Sequence, residues 1–330
     1  MKKILTLILS AILCFTVTVA VGCSPTPTTY SFMAPDGAPA LAISKLINDN
    51  DNLGLDKSVS YSVIKAEQVY PNLSSGKADI IVAPVNLASK FYKLHNYVMV
   101  AVLTHGNFYI MSTTEISVNN LVGKIVAVPM PNAVPDWTLK MVITSNDLWF
   151  STVDSQGVTD PNKVNLKYYA EGKDVVSSIM AGNHTIGLVP EPAASALETN
   201  YLSKKGQTLY RLDLQELYDS QEKAYPQAVL MVKKSLLDAN PNVVDVLEDR
   251  ITQSAGWIKT NVQTAVGAIN QKGGITLSSN TLTEKAINGC KIYWQSAENS
   301  KNSVRTYINR IIEIDNNKAT AVSDDFFYAN

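Results

Sequence analysis

Residues 69–88 read VYPNLSSGKADIIVAPVNLA and residues 175–194 read VVSSIMAGNHTIGLVPEPAA. They align without a gap at an offset of 106, which puts Val69 on Val175, Leu73 on Ile179, Gly76 on Gly182, Ile80 on Ile186, Val82 on Leu188, Pro84 on Pro190 and Ala88 on Ala194. Each segment predicts a helix, a glycine stop, a buried strand and a proline that opens the next helix. A second match lies upstream of each. Residues 30–33 (YSFM) form a short strand pattern that runs through Ala34-Pro35-Asp36-Gly37-Ala38-Pro39 into an apolar helical period over 40–47. Residues 124–128 (KIVAV) run through a proline-rich loop, 129–136, into a helical period over 137–143. Two matched units in the same order predict two lobes of similar α/β construction.

The connections around these units predict how the lobes join. Residues 98–103, 107–111 and 225–233 have strand patterns that bracket the second unit, so the chain crosses between lobes twice. The predicted lobes are 30–108 with 228–330, and 112–224, with crossings near Ile110 and Gln227. Beyond Ser235 helical periods cover 243–259, 263–270, 283–293 and 304–314, and the aromatic tail Asp324-Asp325-Phe326-Phe327-Tyr328 is expected to dock on the body.

The chain has 330 residues, enough for two ordinary domains, and at 46% hydrophobic and 17% charged it is neither disordered nor fibrous. With 28 basic and 29 acidic residues its formal charge is -1, so no basic field is available to hold a phosphate backbone and nucleic acid is not an expected partner. Cys14, Cys23 and Cys290 form no CxxC pair, and His95, His105 and His184 have no nearby cysteine at ligand spacing, which argues against a cysteine-based zinc site or a disulfide framework. No metal and no cofactor is expected.

The N-terminus sets the expected compartment. Lys2-Lys3 precedes a mostly apolar run over 4–21, and Ala20-Val21-Gly22-Cys23 resembles the lipobox of bacterial lipoprotein signal peptides. That resemblance implies removal of residues 1–22, lipidation of the Cys23 thiol and a body held at the extracytoplasmic face of the cell membrane. An uncleaved membrane anchor is the alternative. Residues 24–29, SPTPTT, read as part of an extended tether over 23–29.

Taken together, the stretches APDGAPALA, SSGKADIIVAP, LVGKIVAVP, AGNHTIGLVPEPAASA, YPQAVLMVKKSLLDANP and DDFFY resemble the substrate-binding lipoproteins of ABC importers. The similar branch is the one containing binders of nitrate, sulfonates, taurine and thiamine-pyrimidine precursors. The resemblance implies an α/β, two-lobed type II periplasmic-binding-protein clamshell with two crossing strands and C-terminal helices. It also implies a monomer that captures a small anion, a sulfonate or a heterocycle and delivers it to an ABC permease. A lipid-anchored sensor without transport remains open. A pyrimidine-precursor synthase-like enzyme is disfavoured because its cysteine cluster is missing. No GxSxG occurs, and the SxxK matches at Ser62 and Ser74 lack the motifs that would complete a hydrolase site, so no catalytic residue is expected.

Ligands of open α/β sheets bind beyond the carboxyl ends of the strands, which selects the loops 35–38, 85–87, 129–136 and Glu191. The candidate contacts are Asp36, Gly37, Ala38, Val85, Asn86, His105, Asn132, Trp137, Glu191 and Gln227. Helix starts at these loops offer free N–H groups to an anion, while Trp137 offers a face to a planar ring. Each residue has a plainer reading too. Trp137 also suits helix packing, Asp36, Asp136 and Glu191 suit helix caps, and His105 suits an ordinary hydrogen-bonded histidine. The four arginines, Arg211, Arg250, Arg305 and Arg310, all lie outside these loops, which disfavours an α-amino-acid carboxylate clamp. Cys290 is expected to be a buried, inert thiol.

Overall fold

A computed structural model describes residues 29–219 and 221–329. The signal peptide and the lipidation expected at Cys23 lie outside the described residues. The first sheet is built from β1 (Thr29–Pro35), β2 (Ser58–Ile64), β3 (Ile80–Pro84) and β4 (Tyr97–Thr104), with helices α1 (Ala38–Ala42), α2 (Ser44–Asp49), α3 (Ala66–Ser74) and α4 (Val85–Phe91) between them. The chain then runs through β5 (Phe108–Ser112), β6 (Ile125–Pro129), α5 (Val134–Ser145), β7 (Phe150–Thr152) and β8 (Val164–Tyr169), whose strands belong to a second sheet. It continues through α6 (Gly172–Ala181), β9 (Ile186–Pro190), α7 (Ala193–Lys205), β10 (Tyr210–Asp213) and α8 (Leu214–Tyr218). It returns to the first sheet as β11 (Ala228–Lys233), followed by α9 (Lys234–Ala239), α10 (Val243–Trp257), α11 (Val262–Gln271), α12 (Glu284–Gly289), β12 (Ile292–Ser296) and α13 (Ala297–Ile314).

The two six-stranded sheets have the orders β12-β4-β11-β3-β1-β2 and β10-β5-β9-β6-β8-β7. In the first, β3, β1 and β2 run parallel and β11 lies antiparallel between β3 and β4; in the second, β9, β6, β8 and β7 run parallel and β5 lies antiparallel between β9 and β10. The apolar run of β3 follows from burial on two faces. Ile81 and Ala83 enter one core layer while Ile80 and Val82 enter another, because successive side chains leave a strand in opposite directions. The layer that takes Ile81 and Ala83 also takes Val126, Val128, Ile186 and Leu188 of the second sheet, so one apolar layer runs across both. The repeat matches the observed units: α3 and β3 correspond to α6 and β9, and Gly76 and Gly182 both end their helices with positive φ, 64° and 79°. At Gly187 a Cβ would meet Val175 Cγ1 at 2.7 Å and Ile179 Cδ1 at 2.9 Å, so α6 lies directly on the backbone of β9.

Three details differ from the sequence expectation. Thr29, assigned to the tether, is the first residue of β1 and pairs with Ser58. The helical period over 283–293 stops at Gly289. Lys291 adopts φ 50° and reverses the chain, and Ile292–Ser296 joins the edge of β4 as a strand. Ile110, expected near a crossing, lies inside β5 and pairs with Leu188 and Leu212, and the passage occupies 105–107 instead. The aromatic tail docks as expected: Phe326 is fully buried, and Tyr328 donates its N–H to the Met99 carbonyl at 2.8 Å.

Candidate functional site

The strands β3 and β9 end at a common joint through which the chain passes twice. Ala228 pairs with Pro84 on one side and Thr104 on the other, and Phe108 pairs with Pro190. Gln227 N–H donates to Thr104 O at 3.0 Å, Val85 N–H to Gln227 O at 3.1 Å, Tyr225 N–H to His105 O at 3.3 Å, and Glu191 N–H to Asn107 O at 2.8 Å. The two passages are thus bonded to each other, to the start of α4 and to the end of β9. Gly106 allows this closeness: it has φ 84°, and a Cβ there would meet the Tyr225 ring at 2.6 Å.

Polar side chains are buried in the joint without partners. Asn86 Oδ1, Thr104 Oγ1, Asn107 Oδ1 and Gln227 Oε1 make no hydrogen bond, and Asn86, Thr104 and Asn107 are 3%, 0% and 3% exposed. An unsatisfied buried polar group costs about 1–3 kcal/mol. Several in one joint are costly to a fold unless something else partners them. Two of the amides have a defined orientation. Asn107 Nδ2 donates to Glu191 O at 3.0 Å and Asn86 Nδ2 to Lys318 O at 3.4 Å, bonds that only the NH2 end of each amide can make.

The joint therefore gathers Val85, Asn86, His105, Glu191 and Gln227 from the expected set. It adds Thr104 and Asn107, whose signal was the polar run Thr104-His105-Gly106-Asn107 between two apolar strands. Asp36, Gly37, Ala38, Asn132 and Trp137 make no hydrogen bond to it among the described residues. The Asp36 carboxylate accepts N–H bonds from Gly37, Ile275 and Thr276 at 2.9, 2.8 and 2.9 Å, fastening the loop beyond α11 to the end of β1. Asn132 has φ 64° and donates its N–H to Asp136 Oδ2 at 2.9 Å. Asp136 in turn receives Lys140 Nζ and Tyr168 Oη, each at 2.9 Å, so it braces the loop rather than facing solvent. Trp137 is 1% exposed within the shared apolar layer, with Lys140 Nζ 4.4 Å from its ring centroid. A ligand reaches that ring only by displacing core packing.

The helix starts are less free than the sequence implies. The first N–H of α4 is spent on Gln227, and α1 is a single turn of five residues. The loops carry no arginine, but β10 delivers one to the joint. Arg211 Nη2 bonds Glu191 Oε1 at 2.6 Å, Nη1 lies 3.7 Å from Glu198 Oε1, and the guanidinium stacks 3.4 Å above the Tyr109 ring. Glu191 also accepts from Ser195 Oγ at 2.7 Å and Ser195 N–H at 3.0 Å. A groove of about 570 Å³ opens beside this cluster, lined by Tyr109, Arg211, Leu212, Asp213, Glu216 and Lys223 among others. Paired with two glutamates, Arg211 brings no uncompensated positive charge to that groove. Cys290 is buried, and burial pushes its thiol pKa up, away from thiolate chemistry.

His105 is 2% exposed and stacks on Tyr293 with ring centroids 3.5 Å apart. Its ring nitrogens face Lys291 O at 3.4 Å and Gln295 Oε1 at 3.2 Å. Burial pushes its pKa down to about 4, outweighing these two oxygens, which favour the cation. The folded chain thus holds His105 neutral where the unfolded chain, with pKa about 6.5, already binds a proton. Stability should fall as pH drops from about 6.5 to about 4, by an amount on the order of 3 kcal/mol from this group. Urea titrations across that window measure it, and His105→Phe, which keeps an aromatic ring on Tyr293, should remove this part of the slope.

No family model matches the chain, and no curated protein matches it. Solved structures do. An ABC transporter protein from Parabacteroides distasonis superposes with a TM-score of 0.73 at 18% identity, covering 92% of this chain and 100% of that one. The periplasmic aliphatic sulphonate binding protein SsuA from Escherichia coli superposes with a TM-score of 0.63 at 11% identity, covering 91% and 96%. The ligand binding component of an ABC-type import system from Staphylococcus aureus, solved with zinc bound, superposes with a TM-score of 0.59 at 14% identity, covering 92% and 97%. Likeness at these identities establishes the fold. The chain has the two-lobed α/β architecture of periplasmic binding proteins, and its structural neighbours include a sulphonate binding protein and the ligand binding component of an ABC-type import system. Among the described residues no group of three or more His, Cys, Asp or Glu is placed to hold a metal ion, and no helix is long and apolar enough to cross a membrane.

Proposed function

We propose that the chain is an extracytoplasmic solute-binding lipoprotein, anchored through Cys23, that captures a small molecule at the joint between its lobes and hands it to an ABC permease. The observation that carries this reading is the set of partnerless buried oxygens on Asn86, Thr104, Asn107 and Gln227 where the two sheets meet. Such groups are costly to the empty protein and are repaid when a ligand supplies the missing partners. They are neutral amides and a hydroxyl, suited to holding a molecule rather than transforming it, so the role is carriage and not catalysis. The likeness to an ABC transporter protein, a sulphonate binding protein and the ligand binding component of an ABC-type import system gives the same reading a precedent of fold.

In this reading the protein is a monomer whose rigid bodies are residues 29–104 with 228–329, and 108–218. They move about the passages at 105–107 and 221–227. Closure changes a few linker torsions and leaves each lobe intact. The test uses the full chain extracted from membranes in detergent. Its intact mass should show a lipid on Cys23 with residues 1–22 removed, and after detergent exchange small-angle neutron scattering at detergent contrast match should give a smaller radius of gyration with a bound ligand. An unchanged profile at saturation sinks the clamshell, and an unmodified Met1 terminus sinks the anchor.

A further inference from the structure

We infer that the joint takes a neutral or cationic ligand presenting N–H or O–H donors, and not a small anion such as nitrate, a sulfonate or a phosphate. The inference rests on the binding role just proposed and names its ligand class. Asn86 Oδ1 and Asn107 Oδ1 are acceptors whose orientation is set, because the NH2 end of each amide is already donating, to Lys318 O and Glu191 O. Both are buried and both lack a donor. An anion placed against them would set oxygen against oxygen with no proton between, which is repulsive in a water-poor site. Gln227, Thr104 and Tyr225, whose Oη is also buried without a partner, adapt to either kind of ligand, since the first can turn its amide and the others their hydroxyls. They do not reverse the balance set by the two asparagines.

The charges nearby agree with this. The loops 35–38, 85–87 and 129–136 contain no Lys or Arg. Arg211, the cation nearest Glu191 in the hydrogen-bonding network, is held by Glu191 and Glu198. The backbone N–H that opens α4 is already bonded to Gln227 O at 3.1 Å, so it is not free to receive an anion. A donor-bearing molecule such as an amine, an amidine or an aminopyrimidine meets acceptors in the joint and no uncompensated cation.

The test is a thermal-shift panel on the detergent-solubilised full chain, with cytosine, benzamidine and putrescine on one arm and nitrate, ethanesulfonate and inorganic phosphate on the other. At least one donor compound should raise Tm by on the order of 5 °C near saturation, while the anions leave it in place. Asn86→Leu and the isosteric Thr104→Val should each weaken that compound about tenfold or more. A shift produced by an anion alone overturns the donor class and leaves the binding role standing. No shift in either arm removes both. A donor compound whose affinity survives both substitutions binds somewhere else, and the inference falls.

Discussion

Replacing Trp137 by Ala should lower the free energy of unfolding by about 3–5 kcal/mol, the range for deleting a large aromatic from a packed core. The indole is 1% exposed and belongs to the apolar layer that runs beneath both sheets. Removing it opens a cavity in that layer and takes the ring away from Lys140 Nζ, 4.4 Å from its centroid. Its Nε1 is buried without a partner, so Trp137→Phe, which keeps an aromatic ring and drops that donor, should cost much less. Urea denaturation of the two variants separates these cases, and an Ala variant as stable as the parent would show that the ring is not part of the core. Weakened ligand binding by Trp137→Ala would therefore not be evidence of stacking, because the start of α5 is disturbed at the same time.

Replacing Arg211 by Met should cost about 3–5 kcal/mol, the penalty for leaving a buried charge alone. The Glu191 side chain is 0% exposed and the Arg211 side chain 16%, so the carboxylate cannot turn to solvent when its partner is removed. The two bonds from Ser195 would remain, but they carry no positive charge. Glu191→Gln combined with Arg211→Met should recover much of the loss, because the uncompensated charge is gone. The coupling from the double-mutant cycle should be large and favourable. Additive losses would mean that the pair acts as two separate surface groups. Because Glu191 also bonds Asn107 through the backbone, the single variant should in addition loosen the joint, measurable as faster amide exchange at 105–108.

Much of the fold was legible because its signals are local. The strand IIVAP is apolar at every position but its last, and only a strand covered on both faces has that pattern. Gly76 and Gly182 stop equivalent helices because left-handed backbone is inexpensive for glycine, and their spacing exposed the repeated unit. The third C-terminal period misled because Thr283 to Gly289 reads as a helix and the strand after it is a short edge. Pairing with β4, not local propensity, makes Ile292–Ser296 a strand.

The site was legible only in outline. Position beyond the strand ends selected Val85, Asn86 and Glu191, the second crossing selected Gln227, and these four lie together at the joint. What each side chain does there depends on residues far away in the chain. Asp36 is bound by the backbone of Ile275 and Thr276, His105 lies on Tyr293, Asn86 reaches Lys318, and Glu191 finds Arg211, which no candidate loop contained. Sequence alone determined the two α/β units, the double crossing and the low charge of the loops, because periodicity, glycine placement and composition act over a few residues. Tertiary structure alone decided which polar groups are paired and which remain without partners, because burial and hydrogen bonding are set by segments that meet only when the chain is folded.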